Sequence, residues 1–68
     1  MQNKLAERLK WLREERGVSI TSLANQTGLS QGNISRWEKG TLRPGIEAII
    51  ILCQFFDCTA GYLIGLED

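Results

Sequence analysis

"SQGNISRWEKG", Ser30 to Gly40, decides how this chain is read. It opens on serine, a good helix N-cap, and closes on glycine, the usual helix terminator. Between them stand one isoleucine and one tryptophan, and the rest is polar or glycine. A helix this short is not stable alone, so its neighbours must hold it. At ~100° per residue, Ile34 and Trp37 fall on one side of the wheel. Gln31, Gly32, Ser35, Arg36 and Lys39 share the opposite arc, which has no large apolar group and therefore faces away from the core.

The chemistry of that arc suits the reading of base edges. Glutamine can pair with an adenine edge, and arginine with N7 and O6 of guanine. Gly32 costs roughly 1 kcal/mol relative to alanine in a helix interior. In return it leaves a bare spot where the helix backbone could approach a groove floor. Just upstream, Thr27-Gly28-Leu29-Ser30 is too short a link for anything but a sharp crossing between two helices. Gly28 can adopt the positive φ that such a turn needs. The small Ala24 permits close approach, and Leu23, Leu29, Ile34 and Trp37 supply apolar contacts under the corner.

Outward from this corner the pattern stays helical. Leu5, Leu9 and Leu12 recur at helical spacing before Gly17. Ser19 caps a second helix that ends at Gly28. "TLRPG", Thr41 to Gly45, is a loop with Pro44 near the start of a fourth helix. Ile46, Ile49, Ile50, Cys53 and Phe56 give that helix an apolar stripe. Asp57-Cys58 is a break, Thr59 caps a final short helix, and Gly65 ends it. No strand pattern competes, so the expectation is an all-α, compact five-helix domain spanning residues 1–68, with a helix-turn-helix at helices two and three.

Composition excludes other classes. At 68 residues the chain supports one small core. No segment approaches the ~20 apolar residues of a membrane span. There is no histidine, and the two cysteines, Cys53 and Cys58, are too few for a disulfide scaffold or a metal site. They read as buried free thiols. Nothing in the residue types suggests catalysis, a cofactor or a small-molecule ligand. Net charge is zero, but it is unevenly spread. All eight basic residues precede Pro44, against four acids there; the remainder carries four acids and no base. That polarity suits one-sided binding to a polyanion.

With these residues in view, the chain resembles the lambda-repressor-like helix-turn-helix family, also called Cro/repressor or XRE-type. The stretches that carry the resemblance are "LKWLREERGVS", "LANQTGLSQGNISRWEKG", "RPGIEAIIILCQFFD" and "TAGYLIGL", from about Leu9 to Leu66. The resemblance implies five helices, with the third laid in the major groove of DNA. It implies base contacts at Gln31, Gly32, Asn33 and Arg36. Phosphate contacts are implied at the start of helix two, at Ser30 and Asn33, and in the loop at Lys39, Thr41 and Arg43. Many members carry glutamine at the first position of helix two; Ile20 stands there, which leaves Thr21 and Ser22 as the candidates.

The resemblance also pairs Glu38 with an arginine at the end of helix one, which is Arg13 here. It implies a cytoplasmic regulator of bacterial or phage origin, a repressor that binds operator DNA as a homodimer. An antitoxin or protein-interaction module of the same fold is the alternative. For the two-fold contact the candidates are Ile51, Phe55, Tyr62, Ile64 and Leu66, with Phe55 also placed to cover helix five.

Overall fold

The computed structural model describes residues 4–67. Five helices follow one another: α1 Lys4–Arg16, α2 Ile20–Thr27, α3 Gln31–Lys39, α4 Ile46–Phe56 and α5 Ala60–Ile64. No strand occurs among the described residues.

Local side chains set most of the ends. Ser19, Ser30 and Thr59 each accept, through the side-chain oxygen, the N–H three residues on, at Ser22, Asn33 and Tyr62. Each satisfies one of the four donors that a helix start leaves free. Pro44 is buried and lies outside α4, whose N-cap is Gly45. At the far end of α4 an aspartate does what glycine does elsewhere: Asp57 takes the left-handed conformation at φ 54°. Aspartate tolerates that region better than most residues.

Leu9, Leu23, Ile34, Leu52 and Leu63 are fully buried, one from each helix. Ala24, Trp37 and Phe56 complete the core around them. α3 packs against α1 and α2, while α5 packs against α1 and α4. No helix could bury its apolar side without the others, so α3 is held by the whole assembly.

The stripe read for α4 needs correction. Leu52 and Phe56 face the core, with Ala48, Ile49, Cys53 and Phe55 packed beside them. Ile46 and Ile50 are exposed, at 72% and 50%. The cause lies in the composition of α4: with Ile46, Ile49, Ile50 and Ile51 distributed around it, apolar spacing carries no contrast. Contact with α2 and α5 chooses the inward face instead.

Three α1 arginines are spent on structure. Arg8 lies over the Tyr62 ring, 4.4 Å from its centroid, and donates to the carbonyls of Tyr62 and Glu67. These lie at and beyond the end of α5, where the helix dipole favours a cation. Arg16 sits 5.3 Å and 5.6 Å from the ring centroids of Phe55 and Phe56, so it closes α1 over the end of α4. The third, Arg13, braces α3.

Candidate nucleic-acid interface

The corner between α2 and α3 is built from three local devices. Gly28 adopts φ 76° and returns its N–H to Ala24 O at 2.9 Å. Thr27 Oγ1 donates to Leu23 O at 2.6 Å and accepts from Leu29 N at 3.3 Å. Ser30 Oγ then accepts from Asn33 N at 3.2 Å and starts α3. A Cβ at position 28 would have room, since nothing lies within 4 Å. The positive φ, not crowding, is what selects glycine.

α3 is two-sided. Ile34 and Trp37 are buried beneath it. The Trp37 Nε1 donor has no acceptor among the described residues, so this side chain is held by ring burial rather than by a polar contact. On the outer side Gln31, Gly32, Arg36 and Lys39 are exposed, and Asn33 and Ser35 are half-buried. Arg36 Nη1 donates to Asn33 Oδ1 at 3.3 Å. That contact, one turn along the helix, joins two candidate base-contacting side chains into one unit. A Cβ at Gly32 would meet only Arg36 Nη1 at 3.7 Å and Ser30 Oγ at 3.8 Å. The fold itself therefore does not require glycine there.

Beyond α3, Gly40 at φ 77° ends the helix. Thr41 donates both its N–H, at 3.0 Å, and its hydroxyl, at 3.3 Å, to Arg36 O. Thr41 thus pins the loop to the end of α3. Lys39 and Arg43 are exposed beside it. From Gly17 to Ile46 the only acid is Glu38, and Arg13 neutralises it inside. The exposed charges over α2, α3 and the following loop are Arg36, Lys39 and Arg43, all positive. The positive excess visible in the sequence is therefore concentrated here, because the exposed bases of α1, Lys4, Lys10 and Arg16, are matched by its exposed acids Glu7, Glu14 and Glu15.

Glu38 receives Arg13 Nε on Oε2 at 2.6 Å and Nη2 on Oε1 at 3.0 Å. Arg13 Nη1 also donates to Val18 O at 3.0 Å, across the α1–α2 turn. The two side chains are only 13% and 6% exposed. The hydrogen bond to Glu38 pushes the Arg13 guanidinium above its ordinary range, against the opposing effect of burial. One side chain thereby links α1, the α1–α2 turn and α3.

At the start of α2, Thr21 is exposed while Ser22 is half-buried. Ser22 Oγ accepts from Gln26 Nε2 at 2.8 Å. Gln26 is a polar neighbour that the sequence reading passed over; its signal was the four-residue spacing from Ser22. The candidate dimer residues belong to α4, α5 and the tail. Ile64 and Leu66 are exposed at 41% and 80%. Ile51 and Tyr62 are half-buried, and Phe55 is half-buried against its own chain, edge-on to Phe56 at 5.0 Å.

The helix-turn-helix family pattern matches residues 9–63. Among curated relatives, the uncharacterized HTH-type transcriptional regulator YobD of Bacillus subtilis is 26% identical over 62 residues, covering 91% of this chain and 55% of YobD. The HTH-type transcriptional regulator AnsR of the same organism is 33% identical over 61 residues, covering 90% of this chain and 53% of AnsR. This chain thus spans about half the length of these relatives. Among solved structures, the P22 c2 repressor in complex with synthetic operator 9T superposes with a TM-score of 0.88 at 25% identity. That match covers 98% of this chain and 100% of the repressor chain. The two relatives are named as transcriptional regulators and the solved neighbour as a repressor. No helix among the described residues is long and apolar enough to cross a membrane.

Proposed function

The chain belongs to the helix-turn-helix family of the Cro/repressor (XRE) type, and from that premise we propose that it is a sequence-specific DNA-binding regulator of transcription. In this reading α3 lies in the major groove, and the protein acts as a homodimeric repressor on an operator. The observation that carries it is the outer arc of α3: Arg36 coupled to Asn33 beside the bare Gly32, on a surface whose exposed charges are all positive. The likeness to a repressor solved on operator DNA supports the same reading.

Contacts divide into two kinds. Gln31, Asn33 and Arg36 read base edges, with Gly32 admitting the backbone. A bidentate Arg36–guanine contact contributes ~1–3 kcal/mol of discrimination. Thr21, Ser22, Ser30, Lys39, Thr41 and Arg43 hold phosphates, and Asn33 serves either role. Ser30 can do so while capping α3, because its oxygen accepts from Asn33 N and its O–H stays available. A two-fold dimer then requires half-sites about one helical turn apart, ~10–10.5 base pairs centre to centre.

Binding of wild type, Arg36→Ala and Arg43→Ala to selected and random DNA across a salt series tests this. Arg36→Ala should lose preference at one symmetric pair of base positions. Arg43→Ala should weaken both DNAs alike and make the salt slope shallower. Equal loss on both DNAs for Arg36→Ala would make Arg36 a phosphate ligand. Absence of salt-dependent DNA binding in the wild type would leave a protein-interaction module of the same fold.

A further inference from the structure

Cys53 and Cys58 take no part in the proposed DNA surface, yet they are not independent of each other. Both are free and half-buried. α4 ends with Asp57 in the left-handed conformation, and the next residue, Cys58, donates its N–H back to Cys53 O at 3.0 Å. This six-to-one hydrogen bond is the signature of the Schellman helix ending. In that ending the side chains of its first and last residues meet, usually as an apolar contact. Here both positions are cysteine.

The hydrogen bond also bounds the backbone separation. Between the two Cα atoms lie one Cα–C bond, one C=O bond, one 3.0 Å hydrogen bond and one N–Cα bond. Even in a straight line these sum to roughly 7 Å, and any bend brings the pair into the ~4.4–6.8 Å range of disulfides. Cys53 is near enough to add to the effect of burial in holding Cys58 protonated. Burial disfavours the thiolate but not a disulfide, which is neutral and apolar.

We propose that Cys53 and Cys58 form a modification site, a dithiol that closes to an intramolecular disulfide in the folded protein when it meets a peroxide. In the first step the Cys53 sulfur attacks one peroxide oxygen. The O–O bond breaks, the leaving hydroxide takes the thiol proton, and water and a Cys53 sulfenic acid result. Cys58 sulfur then attacks the sulfenic sulfur, the S–O bond breaks, and the departing hydroxide takes the Cys58 proton as a second water. Two thiols are oxidised by two electrons and one peroxide is reduced to two waters. The bond would staple the end of α4 to the residue before the α5 cap, so the stability of the α4–α5 half becomes redox-dependent.

The full 68-residue chain is treated with hydrogen peroxide and its intact mass, free-thiol count and Tm are measured before and after. No Lys or Arg follows Arg43, so one tryptic peptide carries both cysteines. The expected product has lost two hydrogens within that peptide and both titratable thiols. Its circular dichroism should be unchanged and its Tm raised, with a reductant reversing every change. Cys53→Ser and Cys58→Ser should add oxygen or form mixed disulfides instead. Oxygen addition to both sulfurs of the wild type, intermolecular disulfide dimers, or an internal disulfide that lowers the Tm would each overturn the proposal.

Discussion

Arg13 holds both carboxylate oxygens of Glu38, at 2.6 Å and 3.0 Å, with the two side chains only 13% and 6% exposed. An exposed pair contributes ~0–1 kcal/mol, but removing one partner of a buried pair leaves an uncompensated charge and costs ~3–5 kcal/mol. The burial puts this pair with the second kind. Glu38→Ala should lower urea-unfolding stability by ~3 kcal/mol or more. Arg13→Lys should also destabilise, because an ammonium cannot serve two carboxylate oxygens and the Val18 carbonyl in one planar fork. A loss below ~1 kcal/mol in Glu38→Ala would reduce the pair to a surface contact.

Gly32 allows the needs of the fold to be separated from the proposed DNA contact. A Cβ there finds only ordinary contact distances, to the Arg36 and Ser30 side chains. Gly32→Ala should therefore stabilise the free protein through helix propensity, by less than the ~1 kcal/mol of a helix interior because Gly32 stands in the first turn of α3. If the bare spot lets α3 approach the groove floor, the same variant should bind its operator more weakly. Denaturation and operator titration of the one variant give both signs. A variant that is more stable and binds as well as wild type would remove Gly32 from the interface.

How much of this was legible in the sequence depended on range. The ends of α2, α3 and α5 could be read because Ser19, Ser30 and Thr59 act on N–H groups three residues away. The orientation of α3 could be read because Ile34 and Trp37 stand against an otherwise polar helix. α4 could not be oriented, since isoleucines surround it and packing selects Leu52 over Ile46 and Ile50. The roles of Arg8 and Arg16 were also hidden. Arg8 meets Tyr62, 54 positions away, and no local spacing reports that. At the candidate site, Asn33 and Arg36 were each singled out, but their hydrogen bond depends on rotamers that a helical wheel does not contain.

The reduced protein should lose stability in alkali in a way that depends on Cys58. Burial, then the neighbouring Cys53, pushes the Cys58 thiol from 9.0 up to about 11. Between those values the unfolded chain has released this proton and the folded chain keeps it. The unfolded state then binds fewer protons, so stability falls as pH rises across the window and is fully retained below it. Urea midpoints between pH 8 and pH 11, roughly the span of an ordinary and a raised thiol, should fall more for wild type than for Cys58→Ala. Parallel curves would show that Cys58 titrates alike in both states.

Two of the exposed apolar surfaces compete most directly for the proposed two-fold contact. Ile64 and Leu66 are exposed near the C-terminal end, whereas Ile46 and Ile50 are exposed together on α4. Phe55 is partly taken up by Phe56 and Arg16, and Tyr62 by Arg8, so neither presents its whole ring to another molecule. Ile64 and Leu66 should therefore carry most of the contact, with Ile51 at its edge. Glutamates in place of these two would put unpaired carboxylates into an apolar interface, a loss that separates the protomers. Sedimentation equilibrium should give a dimer for wild type and a monomer for Ile64→Glu/Leu66→Glu. The α4 variant Ile46→Glu/Ile50→Glu should remain dimeric. The monomeric variant should keep its half-site preference while losing the dependence of affinity on half-site spacing. Dissociation by the α4 variant alone would move the two-fold axis to Ile46 and Ile50, and a wild type that stays monomeric at high micromolar concentration would remove the dimer altogether.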